Sequence, residues 1–225
     1  MRFIGRVLTG RFTAADVVAA GPWHLAIGLA FTWLAGMGRY WDSPRASTLQ
    51  HLGLGSLAYV FVLSAFLWLL VRPLRPARWK FIEILTFVCA VSPPALLYAI
   101  PVEKFMSLAD ARSVNVWFLA VVATWRVALY VVFLVRYAGL RGVALFASAL
   151  LPLSIIVVGL TALNLERAVF DVMAGLDPNA RTPADDVYGV LFLLSFVSFL
   201  VAPVVLVMYL AAITLARRQP RSERL

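Results

Sequence analysis

The chain has 225 residues, of which 63% are hydrophobic and only 14% charged, with a mean hydropathy of +0.90. That balance excludes an ordinary water-soluble domain, and the polar intervals are too short to bury a core of their own. The formal net charge of +9 does not indicate nucleic-acid binding, because no basic face outside the apolar stretches is large enough to follow a phosphate backbone.

In chain order, the opening segment MRFIGRVLTGRFTAADVV is basic but lacks the apolar core of a cleavable signal. The first transmembrane helix is therefore expected to direct insertion. Six apolar stretches follow, at 21–40, 52–72, 81–102, 114–136, 140–165 and 187–216. Each has about the 20 residues that cross the hydrocarbon core as a helix. Between the fifth and sixth, Leu165, Val169, Val172, Met173 and Leu176 recur at helical spacing and predict a short helix on the outer surface. Thr182-Pro183-Ala184-Asp185 then predicts the start of the last helix, with an N-cap hydroxyl, a proline in the first turn and an acid at the third position. The expected fold is all-α: one polytopic membrane domain over residues 1–225, six transmembrane helices in a bundle, both termini cytoplasmic.

Charge sets the orientation. With the N-terminus inside, thirteen of the 20 basic residues fall at the cytoplasmic face and six at the other, leaving Arg126 within a span. This is the asymmetry of the positive-inside rule. Trp23, Trp79 and Tyr137 then stand near the inner interface, and Tyr40, Trp41, Trp117 and Tyr188 near the outer one. Lysine occurs only at Lys80 and Lys104. Such a composition fits a GC-rich coding sequence, and the expected location is a bacterial inner (plasma) membrane.

Arg126 is the sharpest anomaly. It lies mid-way along WFLAVVATWRVALYVVFLV, where a charge costs about 2.5–3.5 kcal/mol on insertion scales and must face protein or a wet cavity. Pro93 and Pro94 interrupt the third stretch at similar depth, removing the amides that would reach the carbonyls of Cys89 and Ala90. Pro152 and Pro203 do the same to the carbonyls of Ser148 and Phe199 in the fifth and sixth. Two readings follow. Arg126, with Tyr130, Ser92 and Ser148, lines a midplane site for an anionic group between helices broken at these prolines; or its guanidinium donates to the exposed carbonyls and to Tyr130, bracing helices three and four.

The remaining polar residues direct no chemistry. His24 and His51 fall on opposite faces and cannot share a metal, and Ser92, Ser148 and Ser154 have no His or Lys at the midplane to activate them. Cys89 is the sole cysteine, which rules out an intrachain disulfide and a cysteine metal cluster. Glu166, Asp171, Asp177, Asp185 and Asp186 match no calcium loop and read as a solvated acidic surface. Neither cofactor nor metal is expected. Arg72, Arg75, Arg78 and Lys80 form a proline-stiffened cytoplasmic loop suited to anionic lipid headgroups.

Gly28, Thr32 and Gly36 recur every four residues and make a smooth stripe for a neighbouring helix, internal to the bundle or from an oligomer or second membrane protein. The expected function is a non-catalytic scaffold or accessory subunit of a membrane assembly. The alternative is a channel or carrier for a small anion or lipid with its site at Arg126, and the third an interfacial enzyme.

Overall fold

The computed structural model describes residues 2–41, 47–163 and 186–218, and every regular element among them is a helix. The expected surface helix after Leu165 and the Thr182–Asp185 cap lie outside the described residues. The chain divides into two compact units, one drawn from Met1–Arg72 and Pro76–Gly139, the other from Pro73–Arg75 and Leu140–Leu225.

The first unit contains α1 (Arg2–Leu8), α2 (Ala14–Val18), α3 (Pro22–Gly38), α4 (Thr48–His51), α5 (Leu54–Val71), α6 (Phe81–Ala90) and α7 (Leu108–Arg136). Tight three-residue-per-turn helices at Pro93–Ala99 and Val102–Lys104 link α6 to α7. Only 10 residues long, α6 is the hub: every residue from Glu83 to Ala90 is buried. Its aromatic partner lies on α7, where Phe133 stacks on Phe87 at 4.0 Å between ring centroids and on Tyr137 at 4.6 Å.

Close approach of α3 to α6 depends on Gly28. A Cβ there would sit 2.8 Å from the Cys89 Cβ and 3.0 Å from its carbonyl carbon. Gly36 likewise abuts Ser56 of α5, and Thr32 bonds to Ser92. The small-residue stripe of α3 is thus occupied within its own unit.

The N-terminal segment is a packed element, not a tail. Phe3, Ile4 and Val7 bury one face of α1 while Arg2 and Arg6 stay exposed on the other, and Phe12 and Val17 are fully buried. Backbone carbonyls fasten the segment along α7: Trp125 Nε1 donates to Leu8 O at 2.9 Å and Arg136 Nη1 to Phe12 O at 3.0 Å. A capping box starts α2, with Asp16 N–H donating to Thr13 Oγ1 and Thr13 N–H to Asp16 Oδ2.

The second unit is chiefly a hairpin of α8 (Gly142–Ala162) and α9 (Asp186–Arg218), joined by a 2.9 Å contact between the hydroxyls of Thr161 and Ser195. Pro152 and Pro203 do not break these helices, contrary to expectation. A single proline removes one intrahelical bond and the helix resumes, whereas Pro93–Pro94 removes two successive donors and the helix ends.

Among the described residues, four helices are long and apolar enough to cross a membrane: Leu54–Leu74, Ser113–Arg136, Gly142–Ala162 and Leu193–Arg218. A fifth crossing results if Phe81–Ala90 and Pro93–Ala99, bent by 43°, act as one broken span. The stretch expected at 21–40 forms the 17-residue α3, about 25 Å long and short of the roughly 30 Å hydrocarbon core. This is the architecture of an integral membrane protein, with apolar side chains such as Phe196, Leu200, Val204 and Val207 exposed along α9.

Candidate functional site

The break after α6 is a consequence of hydrogen-bond register. Ser92 N–H turns back to the Cys89 carbonyl at 3.1 Å and Ala95 N–H to the Ser92 carbonyl at 2.9 Å. The Cys89 oxygen is therefore satisfied, contrary to expectation. Two carbonyls lose their helical donors: Ala90, as expected, because residues 93 and 94 are both proline, and Val91, because residue 94 is proline and the Ala95 amide serves Ser92. Arg126 supplies a donor to the second, its Nε reaching Val91 O at 3.2 Å. The guanidinium thus does meet the proline break, one carbonyl further along than the α-helical pattern predicts, because the chain switches to three-residue turns.

Ser92 is buried at the same break. The Thr32 hydroxyl lies 2.9 Å from Gly28 O and 2.8 Å from Ser92 Oγ. Both side chains thus serve to join α3 to α6. Tyr130, one turn beyond Arg126, packs against the main apolar cluster. Nearby, the Arg39 guanidinium sits over the Tyr98 ring, 4.8 Å from its centroid. Ser148 is buried on α8 and, with Pro152 and Pro203, belongs to the second unit.

A second polar constellation forms where α6 begins and α7 ends. Tyr137, fully buried, donates its hydroxyl to Glu83 Oε2 and accepts the Lys80 N–H at 3.2 Å. Burial foremost, and then the Glu83 carboxylate, push the Tyr137 hydroxyl well above the usual phenol range. Lys80 Nζ lies 3.7 Å from Glu83 Oε1. Trp79 is fixed beside them by donating Nε1 to Trp68 O at 3.0 Å, and the Ala77 amide bonds the Ala138 carbonyl at 3.0 Å.

These restraints hold residues 77–80 away from α2 and leave an open cleft of about 570 Å³, lined by Ala15, Val18, Ala19, Ala77, Arg78, Trp79, Lys80 and Glu83. Of the basic loop, Arg78 and Lys80 face this cleft, while Arg72 lies over the Trp68 ring at 4.7 Å. Arg75 adopts a left-handed backbone with φ of 51°.

Sequence reasoning missed the cleft because it treated residues 2–18 as a source of charge alone. The signals were present: Phe3, Ile4 and Val7 at helical spacing, and Thr13 three residues before Asp16. His24 proves to be a cap, its Nδ1 accepting the Gly21 amide at 3.2 Å, with the Phe3 ring edge-on at 5.2 Å. Comparison with family models, curated proteins and solved structures returns no match.

Proposed function

We propose that this protein is a non-catalytic scaffold or accessory subunit of a membrane assembly. In this reading it spans a bacterial inner membrane six times, with both termini and the 72–80 loop at the cytoplasmic face. The observation that carries it is the bond from Arg126 Nε to the Val91 carbonyl. The charge midway along α7 satisfies an acceptor orphaned by Pro93–Pro94, which is a bracing role and needs no ligand. At 17 residues, α3 lies at the lower end of the spanning range of about 17–25. The charge asymmetry supports the orientation. Exposed Arg72, Arg75, Arg78 and Lys80 suit anionic headgroups.

A specific observation favours a second reading, a channel or carrier for a small anion or lipid. Arg126 is half-buried and uses one of its five N–H groups; the other four make no hydrogen bond among the described residues. Native mass spectrometry of the gently solubilised protein beside Arg126→Gln separates the two. A stoichiometric membrane-protein partner on the wild type, with no small anionic adduct, supports the scaffold. A discrete anionic adduct on the wild type that a folded Arg126→Gln loses overturns the scaffold in favour of the carrier.

A further inference from the structure

The cleft between α2 and residues 77–83 has features that a diffuse basic surface lacks. One wall is fastened to the rest of the unit, since Trp79, Ala77 and Lys80 are each tied by a hydrogen bond to α5, Ala138 or Tyr137. About 570 Å³ lies within the roughly 300–1,000 Å³ typical of small-molecule sites. Its lining divides by chemistry. Arg78 and Lys80 are exposed cations on one side, and Ala15, Val18 and Ala19 give the other side a smooth apolar surface.

Depth adds the second argument. The cleft stands at the start of α6, whose Glu83 and Lys80 bond to Tyr137 at the end of α7; in the proposed orientation these helix ends lie where hydrocarbon meets water. Glu83 pairs with Lys80 at 3.7 Å but not with Arg78. Its carboxylate is buried and accepts from Tyr137, leaving Arg78 without an acidic partner among the described residues lining the cleft. An occupant must therefore offer an anion to Arg78 and Lys80 and an apolar stem to Val18 and Trp79. A soluble phosphate satisfies only the first requirement.

We propose that this cleft binds one anionic glycerophospholipid, its phosphate against Arg78 and Lys80 and the head of its acyl region against Val18 and the Trp79 ring. The site rests on the proposed inner-face placement of residues 72–80, and it converts a general attraction into a single defined contact.

The test uses the full-length protein in detergent with added phosphatidylglycerol or phosphatidylcholine, and native mass spectrometry to count retained lipid. The proposal expects one phosphatidylglycerol retained in preference to phosphatidylcholine. At roughly 1 kcal/mol per cation, retention should weaken about fivefold in Arg78→Gln or Lys80→Gln and about thirtyfold in the double variant. Ala19→Trp, which fills the cleft and leaves its charges, should also release the lipid. Arg2→Gln and Arg11→Gln, exposed cations outside the cleft, should change nothing. Equal losses from Arg2→Gln and Arg11→Gln overturn the proposal in favour of diffuse attraction. Equal retention of phosphatidylcholine, or displacement by millimolar inorganic phosphate, overturns it as well. Labelling of single cysteines placed at Arg11 and Phe105 with an impermeant maleimide reads sidedness independently. A wrong orientation and an empty cleft are therefore distinguishable failures.

Discussion

Replacing Tyr137 by phenylalanine should be among the most damaging single-atom deletions in the first unit. The lost hydroxyl makes two bonds: it donates to the buried Glu83 carboxylate and accepts the Lys80 amide that opens α6. After the change, the only other partner of Glu83 among the described residues is Lys80 Nζ at 3.7 Å, on a side chain that is 74% exposed and therefore screened by water. A hydrogen bond to a charged group contributes about 1.5–3 kcal/mol, and a neutral one about 1 kcal/mol. The expected loss is about 3 kcal/mol, on the order of a hundredfold in the folding equilibrium. Glu83→Gln retains an acceptor for Tyr137 and removes the buried charge, so it should cost about 1 kcal/mol. Combining the two changes should cost less than their sum, because phenylalanine strands no carboxylate when residue 83 is glutamine. Reversible unfolding with SDS in mixed micelles, followed by far-UV circular dichroism, measures each value. A Tyr137→Phe effect below about 0.5 kcal/mol, the scale of an ordinary surface change, would refute the argument that this hydroxyl supports a buried charge.

Three glycine variants should rank by local geometry in the same assay. Gly53→Ala should lose the most, because φ is +66° and the new Cβ would stand 2.8 Å from both Met37 N and Trp33 O. Gly28→Ala should cost about 1–3 kcal/mol through its contact with Cys89. Gly5→Ala, with nothing within 4 Å of its Cβ, should be neutral or stabilise by up to about 1 kcal/mol. Any other order refutes the close packing of α3 against α5 and α6. Asp16 provides a pH test. Hydrogen bonds from the Thr13 amide and hydroxyl, and then Arg6 at 2.6 Å, hold its carboxyl below the ordinary 3.8. A depressed folded value means that the stabilisation is complete above 3.8 and disappears as pH falls through the lower folded value. Carboxyl ¹³C titration should therefore give a midpoint below 3.8 with a parallel shift of the Thr13 amide, absent in Asp16→Asn; a midpoint at or above 3.8 would contradict the capping box.

Apolar helices were the most legible feature of the sequence, since length and hydropathy alone place α5, α7, α8 and α9. Their interruptions were less so. Pro152 and Pro203 read the same as Pro93 and Pro94 in sequence, yet only the adjacent pair ends a helix. The residue pairs that organise the first unit were not legible. Glu83 and Tyr137 stand 54 positions apart, and Trp125 reaches Leu8 across 117. Helices of 7 and 5 residues, as in α1 and α2, are too short to persist alone and exist because tertiary contacts hold them. Their sequence signal was correspondingly faint.

The position of α6 explains why a 10-residue helix suffices where α3, α5 and α7 around it have 17, 18 and 29 residues. Lipid cannot satisfy an interrupted backbone, so a helix facing lipid must be continuous; one enclosed by protein can break wherever side chains supply the missing partners. Around α6 those partners are present at both ends. Tyr137 receives the Lys80 amide at the start, and Arg126 and Thr32 meet Val91 and Ser92 at the break. Glu83 and Arg126 are thus deployed at the two ends of α6. This arrangement also locates the cleft: α6 begins where Lys80 ends the basic loop and α2 packs beside it. A bound phosphate there would neutralise the two cations nearest the start of α6 without disturbing the Glu83–Tyr137 bond that anchors it.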